Sequence, residues 1–242
     1  MPRPDAATVC IVQALPGPGT SPEKVLAPLG GDPALAHVLR RCRAIPEIGQ
    51  VVCATVTGAA GDPVAALADT LDVTVYRAAA ADELAHYRDA ATAVGAGIVL
   101  RVTGDCPLID PQICAEVLRL RAAEDADYAA NNMPPSWPQG LDCEAFTLEA
   151  LEEADEIASD PADRMQVTPW IRRNRAFRRV NLAGPGGELT EQRWMLDYPE
   201  DLAFLRALYD RLSDANPSWR EIARLVASEP QLGLINEARK QR

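Results

Sequence analysis

The stretch Arg101-Val102-Thr103-Gly104-Asp105-Cys106-Pro107-Leu108-Ile109-Asp110 decides the fold of this chain. A short apolar run at residues 98–100, rich in β-branched side chains, precedes it and predicts a buried strand. Asp110 and Pro111 supply an N-cap residue and a proline at the first helical position, which predict the start of a helix. Asp105 should therefore lie just beyond the carboxyl end of a core strand, where open α/β sheets bind ligands.

The position of Asp105 allows two interpretations. A single carboxylate at a strand end suits Mg²⁺, which takes few protein ligands and shares the rest of its coordination with substrate phosphates. Alternatively, Asp105 caps its own turn, as aspartates in loops often do. The stretch by itself favours neither interpretation.

Strands and helices alternate along the first half of the chain. The pattern predicts strands over residues 8–12, 51–55, 73–76 and 98–100, a helix opened by Gly30-Gly31-Asp32-Pro33, and helices over residues 64–71 and 82–94. Because strand and helix alternate repeatedly, we expect a parallel sheet wrapped by helices.

The pattern changes after residue 123. Strands are predicted over residues 128–130, 143–146, 177–182 and 192–196, a proline-rich loop over 133–138, and helices over 149–158, 163–174 with a break near Pro169, from 199 onward, and over 219–227. No linker composition separates the two parts. One domain with an inserted mixed-sheet portion is therefore predicted.

The charge balance limits the partners of the chain. Its 24 lysines and arginines stand against 35 aspartates and glutamates, so the formal charge of the 242 residues is −11. This charge argues against a nucleic-acid surface, which requires basic patches. An anionic substrate would have to be attracted by a local cluster of cations.

The cysteines and the apolar runs suggest where the protein works. The six cysteines are scattered without metal-type spacing, and four lie within apolar runs or helix faces, which predicts reduced, buried thiols in the cytoplasm. No apolar run is long enough to span a bilayer, and the first residues lack the core of a signal peptide. We therefore expect no membrane partner.

Four motifs occur in order along the chain. They are Gly104-Asp105-Cys106-Pro107-Leu108-Ile109-Asp110, Gly140-Leu141-Asp142-Cys143-Glu144, Val167-Thr168-Pro169-Trp170-Ile171-Arg172 and Arg193-Trp194-Met195-Leu196-Asp197-Tyr198-Pro199-Glu200-Asp201. Together they resemble the spore-coat-polysaccharide type of cytidylyltransferase, a family related to CMP-KDO synthetases and acylneuraminate cytidylyltransferases. The resemblance extends from about residue 8 to residue 237.

The resemblance implies an α/β fold of the Rossmann-like nucleotide-diphosphosugar transferase (GT-A-like) type, with a mostly parallel central sheet flanked by helices and a small mixed-sheet insertion. The single domain, residues 1–242, would comprise a nucleotide-binding half at about 8–123, an acceptor and dimerisation portion at about 124–198, and C-terminal helices at 199–242. Homodimeric relatives and the apolar side chains of Met133, Trp137 and Phe146 predict a homodimer packed through residues 128–146.

The implied reaction is attack by an acidic sugar on the α-phosphate of CTP, which forms a CMP-sugar and pyrophosphate for surface polysaccharide or glycoconjugate biosynthesis. Such a transfer needs positioning and charge neutralisation more than covalent chemistry. The resemblance implies Mg²⁺ as cofactor, with Asp105 and Asp197 as ligands. Asp197 has independent support, because it lies between a predicted strand and the helix from Pro199. Its alternative role is to cap that helix.

The resemblance also assigns roles to individual residues. Catalysis falls to Lys24, Asp105 and Asp197; nucleotide binding to Ala14, Gly17, Gly19, Lys24, Arg101 and Asp105; and acceptor binding to Asn131, Asp142, Glu144, Arg164, Thr168 and Arg172. Arg164 and Arg172 could meet an acid or a phosphate on the sugar, or could be exposed helix arginines. His37 and His86 lack a partner motif and are interpreted as structural or surface residues.

Two segments depart from the family pattern. Leu15 and Thr20 stand where relatives carry arginines, and Glu23 replaces a glycine. Neither replacement offers the forked donors with which arginine binds phosphate, and the prolines of this loop lack N–H groups. In the second segment, Met165-Gln166 replaces the Glu-His that precedes Val-Thr-Pro in relatives.

Two functions of different classes remain open. The first is an active cytidylyltransferase that uses CTP and Mg²⁺, and we favour it by a small margin because both metal aspartates are present. The second is a catalytically impaired homologue that binds a nucleotide, a nucleotide-sugar or a partner, which the loss of the loop arginines favours. A glycosyltransferase is a weaker third, since no Asp-x-Asp motif ends a predicted strand.

The altered loop predicts a weak grip on the triphosphate. Charge-assisted hydrogen bonds contribute roughly 1.5–3 kcal/mol each, so the loss of two arginines should weaken CTP binding by about two to four decades at ~1.4 kcal/mol per decade. We expect calorimetry to show CTP binding only modestly better than CMP, and Leu15→Arg with Thr20→Arg to improve CTP affinity while CMP affinity stays nearly unchanged. Tight, Mg²⁺-dependent binding of CTP by the unmodified protein would contradict this prediction.

Overall fold

Two buried strands lie at the centre of the computed structural model, which describes residues 7–14, 22–79, 82–212, 214 and 216–240. β1 (Ala7–Gln13) and β6 (Ala96–Thr103) pair in parallel, with Gln13 opposite Thr103. Both strands therefore end at the same edge of the sheet. The altered loop positions Leu15, Gly17, Gly19 and Thr20 lie outside the described residues.

The remaining strands and the helices follow in chain order. The strands are β2 (Pro28–Leu29), β3 (Asp32–Pro33), β4 (Gln50–Val56), β5 (Thr74–Ala78), β7 (Tyr128–Ala130), β8 (Glu144–Thr147) and β9 (Arg179–Asn181). The helices are α1 (Pro22–Val25), α2 (Ala34–Arg43), α3 (Asp62–Thr70), α4 (Glu83–Ala93), α5 (Pro111–Ala123), α6 (Leu148–Ile157), α7 (Pro161–Gln166), α8 (Pro169–Arg173), α9 (Pro199–Tyr209), α10 (Trp219–Ser228) and α11 (Pro230–Leu234), with 3-10 turns at Gly187–Glu191 and Glu237–Arg239.

The main sheet has the order β5-β4-β1-β6-β8-β7-β9. β8 runs antiparallel to both of its neighbours, whereas the other described pairs in this sheet are parallel. The predicted fold, a mostly parallel sheet flanked by helices, is confirmed. The strands after residue 123 extend this one sheet, so the predicted insertion shares its core. The division of residues 1–242 into functional portions stays a prediction.

Apolar side chains fill both faces of the sheet. On one face, core residues of α2 and α5 pack against the strands, and on the other face those of α4 and α6 do so. A third cluster joins α9 and α10 around the fully buried Trp194. Within the part of the chain that the structure describes, no helix has both the length and the apolarity to cross a membrane.

The turn after β6 is held by a close backbone contact. The Gly104 N–H donates to the Gln13 carbonyl at 2.8 Å. A Cβ atom at Gly104 would lie 3.1 Å from that carbonyl oxygen and 3.2 Å from the side chain of Leu35. The absence of a side chain therefore lets the turn that carries Asp105 sit directly against the end of β1.

Two predicted elements differ in the structure. Gly30-Gly31 does not open a helix; both residues have positive φ and form the turn of the β2–β3 hairpin, and α2 begins only at Ala34. The predicted strand over residues 192–196 is absent. Its hydrogen bonds go to loop residues instead, through an isolated bridge of Arg193 with Gln139 and a bond from Leu196 to Asp105.

The apolar side chains that suggested a dimer surface are mostly internal. Trp137 is 6% exposed and packs edge-on against Trp219, and Phe146 is fully buried. Only Met133, at 40%, is substantially exposed among the three side chains on which the prediction rested. The homodimer stays a prediction, without the apolar surface that motivated it. All six cysteines are buried free thiols, as expected.

A side chain at Gly140 should destabilise the fold because the backbone of a neighbouring segment leaves no space for it. It has a φ of 105°, and a Cβ atom there would lie 2.7 Å from the backbone of both Trp194 and Met195. Gly31 also has a positive φ, 91°, but has open space around it. We expect Gly31→Ala to cost about 1–2 kcal/mol for the left-handed conformation, and Gly140→Ala to cost about 1–3 kcal/mol more for overpacking. Urea unfolding of both variants measures this, and equal losses would contradict it.

Candidate active site

Asp105 lies in the tight turn beyond β6 and is only 6% exposed. The Cys106 thiol donates to its Oδ1 at 3.4 Å and also contacts the Thr103 hydroxyl. Burial raises the pKa of Asp105, and the nearby charge of Asp197 raises it further, whereas hydrogen bonds from Thr103 and Cys106 oppose the shift. The turn therefore holds a carboxylate whose charge is poorly compensated by the protein.

Asp197 is carried to the same place by a neighbouring backbone. The Leu196 N–H donates to the Asp105 carbonyl at 2.8 Å, so the two segments lie side by side. The Lys24 ammonium lies 3.2 Å from Asp197 Oδ1, and Arg193 Nη2 lies 3.1 Å from Oδ2. The structure thus brings together all three residues predicted to be catalytic; their roles stay predictions.

A buried ion pair fixes the orientation of this segment. Arg193 donates from Nε and Nη2 to Asp201, at distances of 2.9 to 3.1 Å, and Asn236 donates to Asp201 at 3.0 Å. Burial alone would raise the pKa of Asp201, but the bonds from Arg193 and Asn236 lower it overall. Asp201 also accepts the N–H groups of Asp197 and Tyr198 at the start of α9. The carboxylate of Asp201, and not that of Asp197, therefore accepts the backbone N–H groups at the start of α9.

The two carboxylates fit a hard divalent cation. Among the described residues, no group of three or more histidines, cysteines, aspartates and glutamates is placed to hold an ion. Mg²⁺ characteristically uses one or two carboxylates and completes its coordination with water and substrate phosphates. Asp105, with its raised pKa and its neighbour Asp197, supplies such a donor pair.

A second polar cluster surrounds Glu144, which is 2% exposed. Its Oε1 accepts the hydroxyls of Tyr128 at 2.5 Å and Thr168 at 2.9 Å, and lies 3.2 Å from Arg172 Nε. Its Oε2 accepts Arg101 Nη1 at 2.7 Å. Burial would raise the pKa of Glu144, but the two guanidinium groups and the hydroxyl donors lower it overall. Glu144 is therefore held in its ionised form and connects the other members of the cluster.

Arg101 belongs to this second cluster. Its Nη2 donates to Gln13 Oε1 at 2.7 Å, and Gln13 Nε2 donates to Glu83 Oε2 at 2.5 Å. A continuous network thus runs from Glu83 through Gln13 and Arg101 to Glu144. Gln13, Glu83 and Tyr128 were not among the predicted site residues. Gln13 directly follows a predicted strand and Glu83 lies at a predicted helix start, which are positions where site residues concentrate.

A strained turn presents Thr168 to Glu144. Val167 is buried with a φ of 70° and a ψ of −57°, which a β-branched residue rarely adopts. The Thr168 N–H donates back to the Gln166 carbonyl at 2.8 Å across this turn. Such strain persists where the surrounding structure imposes it, and it concentrates at functional sites.

The other predicted residues make local structural contacts. Asn131 donates to the Leu141 carbonyl and accepts the Cys143 N–H, and Asp142 accepts the Gly140 N–H at 3.3 Å. Arg164 binds Asp82 and Asp155, and the Ala14 N–H donates to the Ala54 carbonyl. His37 contacts the Leu29 carbonyl, and His86 packs against Tyr76. Gly17 and Gly19 lie outside the described residues.

Known proteins are similar to this chain along nearly its whole length. A family model described as cytidylyltransferase matches residues 9–211. The uncharacterized protein MJ1063 of Methanocaldococcus jannaschii is 26% identical over 234 residues, which cover 96% of this chain and 95% of that protein. The spore coat polysaccharide biosynthesis protein SpsF of Bacillus subtilis is 25% identical over 236 residues, covering 94% of this chain and 97% of that protein.

Solved structures share the fold. A cytidylyltransferase from Leptospira borgpetersenii superposes with a TM-score of 0.89 at 26% identity, over 94% of this chain and 97% of that one. CMP:2-keto-3-deoxy-manno-octonic acid synthetase in complex with CTP superposes with a TM-score of 0.63 at 16% identity, over 85% of this chain and 99% of that one.

Removal of the charge of Asp105 and removal of the charge of Asp201 should have opposite effects on the free energy of unfolding. Burial disfavours the charged form of Asp105, so ionisation of this group lowers the free energy of unfolding. This penalty is absent below the unfolded-chain pKa of about 3.9 and grows as the pH rises through the higher folded-state pKa. The contribution of Asp201 is present at neutral pH and is lost as the pH falls through its lowered pKa. Chemical unfolding at pH 7 should show that Asp105→Asn raises the free energy of unfolding.

The matched variant Asp201→Asn should lower that free energy by about 3–5 kcal/mol, because it breaks the buried ion pair and leaves Arg193 only the partly exposed Asp197 as an acidic partner. Both effects should shrink toward pH 3. Loss of stability in Asp105→Asn at pH 7 would show that this carboxylate serves the fold.

Proposed function

Because the chain belongs to the cytidylyltransferase family, whose members are CTP-using nucleotidyltransferases, we propose that it transfers the cytidylyl group of CTP to an acidic sugar, forming a CMP-sugar and releasing pyrophosphate. The observation that carries this proposal is the meeting of Lys24, Asp105 and Asp197 beyond the carboxyl end of β6. Two acids and an ammonium at that edge match the needs of triphosphate chemistry.

Asp105 and Asp197 are the residues that would hold Mg²⁺, which when bound neutralises phosphate charge and orients the triphosphate. The ammonium of Lys24 lies 3.2 Å from Asp197 and is 20% exposed, so it is placed to bind a phosphate oxygen beside that acid. Arg193 stays paired with Asp201 in the core and keeps the backbone of Asp197 in position.

The Glu144 cluster would receive the acceptor. Arg172 uses only its Nε toward Thr168 and Glu144 among the described residues, and its side chain is 30% exposed. Its two terminal nitrogens can therefore bind a carboxylate in the forked geometry that arginine favours. This supports an acidic sugar as acceptor. The name of the Bacillus subtilis relative supports a role in surface polysaccharide biosynthesis.

A nucleotide- or CMP-sugar-binding protein without turnover is the second candidate. The loop composition favours it, since Leu15 and Thr20 replace arginines and Glu23 is acidic. Pyrophosphate release measured with each of the four NTPs and a panel of keto-sugar acids separates the two candidates. Release with CTP and one acid supports the enzyme, whereas binding of CMP without any release supports the binding protein.

Substitution of the metal acids should abolish transfer. We expect Asp105→Asn and Asp197→Asn each to lower the rate of pyrophosphate release by at least about 10²–10³-fold, the loss usual for one electrostatic contact to the transition state. Mg²⁺ with CTP should raise the melting temperature of the wild type but not of Asp105→Asn. Asp69→Asn, an exposed acid on α3, is the control and should behave as wild type. Unchanged activity in Asp105→Asn would refute the metal assignment.

A further inference from the structure

The network at the strand ends contains two buried carboxylates with different surroundings. Glu144 accepts two hydroxyls and faces two guanidinium groups. Glu83 is 7% exposed, and the one hydrogen bond seen to its carboxylate among the described residues comes from the neutral amide of Gln13. One carboxylate is thus locked as an anion, and the other is left with little stabilisation of its charge.

The orientation of Gln13 makes Glu83 a hydrogen-bond acceptor. Arg101 can only donate, so the Gln13 atom that it contacts at 2.7 Å must be the amide oxygen. The amide nitrogen then points at Glu83 Oε2 at 2.5 Å. The contact therefore leaves the lone pairs of the other carboxylate oxygen available to accept a proton.

Gln13 also connects Glu83 with the metal turn. Its side chain holds Glu83, and its carbonyl accepts the N–H of Gly104, the residue that precedes Asp105. Gln13 therefore links the Glu83 carboxylate to the backbone of the turn that carries the proposed metal ligand. Through Gln13 and Arg101, Glu83 is also connected to Glu144, so it adjoins both the turn of the proposed metal ligand and the proposed acceptor cluster.

The electrostatics agree with this placement. Burial raises the pKa of Glu83, while the charge of Arg101 and the Gln13 bond oppose the rise. The groups that face it are Arg101 from β6, Gln13 from β1 and Tyr87 from α4. Neighbouring carboxyls whose surroundings separate their pKa values commonly divide the roles of base and fixed anion. Glu144, whose pKa is lowered, is the poorer base.

We propose that Glu83 is the proton acceptor for the hydroxyl of the sugar, an inference that rests on the proposed cytidylyl transfer. In this step the hydroxyl oxygen forms a bond to the α-phosphorus of CTP while the bond from that phosphorus to the pyrophosphate oxygen breaks. Pyrophosphate leaves with the bonding electron pair. The hydroxyl proton passes to the carboxylate of Glu83, which returns it to solvent after the product departs.

Glu83→Gln tests the proposal because it keeps the shape of the side chain and removes the proton acceptor. Turnover at saturating CTP and sugar should fall by about 10²-fold or more. Since burial disfavours the charge, the variant should melt at or above the wild-type temperature; a clearly lower melting temperature would overturn the proposal by showing that the fold needs this anion. Glu149→Gln, an exposed acid in the first turn of α6, is the control.

Chemical rescue separates proton transfer from positioning. Formate should restore turnover of Glu83→Ala at least about ten-fold, whereas formamide, its neutral counterpart, should not. Turnover of Glu83→Gln within about three-fold of wild type would overturn the inference and leave the proposed function intact, as would loss of turnover without formate rescue. Absence of transfer by the wild type with every NTP and acid would overturn both.

Discussion

The parallel pairing of β1 with β6 is the constraint on which the rest of the site depends. Because Gln13 stands opposite Thr103, the two strands end together and the turn that carries Asp105 rests on the carbonyl of Gln13. The same register places the side chains of Gln13 and Arg101 on one face, where they bond to each other. A shift by one residue would turn Arg101 toward the opposite core and disconnect both clusters.

The buried acids of the site are held in two different ways. Glu144 and Asp201 are matched by guanidinium groups, and their lowered pKa values show that the fold gains from their charge. Asp105 and Glu83 are buried with raised pKa values, so the fold bears a cost for each. Matched acids hold the architecture, and unmatched ones remain available for a cation or a proton. In a chain of net charge −11, a cation bound by the unmatched acids would reduce the negative charge that an anionic substrate of the proposed reaction meets.

Local signals predicted much of the fold, and long-range pairings escaped them. Asp110 caps α5 through the N–H groups of Gln112 and Ile113, as the Asp-Pro pair indicated. The Gly30-Gly31 hairpin was missed because a proline two residues later also suits a helix start. Arg101 and Glu144 are separated by 43 positions, and only the antiparallel pairing of β6 with β8 brings them together. The resemblance named both residues, but motif order carries no information on side-chain partners, so it did not predict that they bond to each other.

The strained turn at Val167 bears on the choice between an active enzyme and a catalytically impaired homologue. A residue held in such a conformation costs about 1–3 kcal/mol, and a glycine would remove that cost. Here the turn directs the Thr168 hydroxyl at Glu144, which also holds Arg172 at the surface. A chain that needed only to stay folded would gain stability by relaxing this turn and by neutralising Asp105 and Glu83. The fold bears this cost at three places along one edge of the sheet, which favours the proposed enzyme over a homologue that has lost activity. The altered loop belongs to the proposed triphosphate site, so its composition does not weaken this argument for the proposed acceptor pocket.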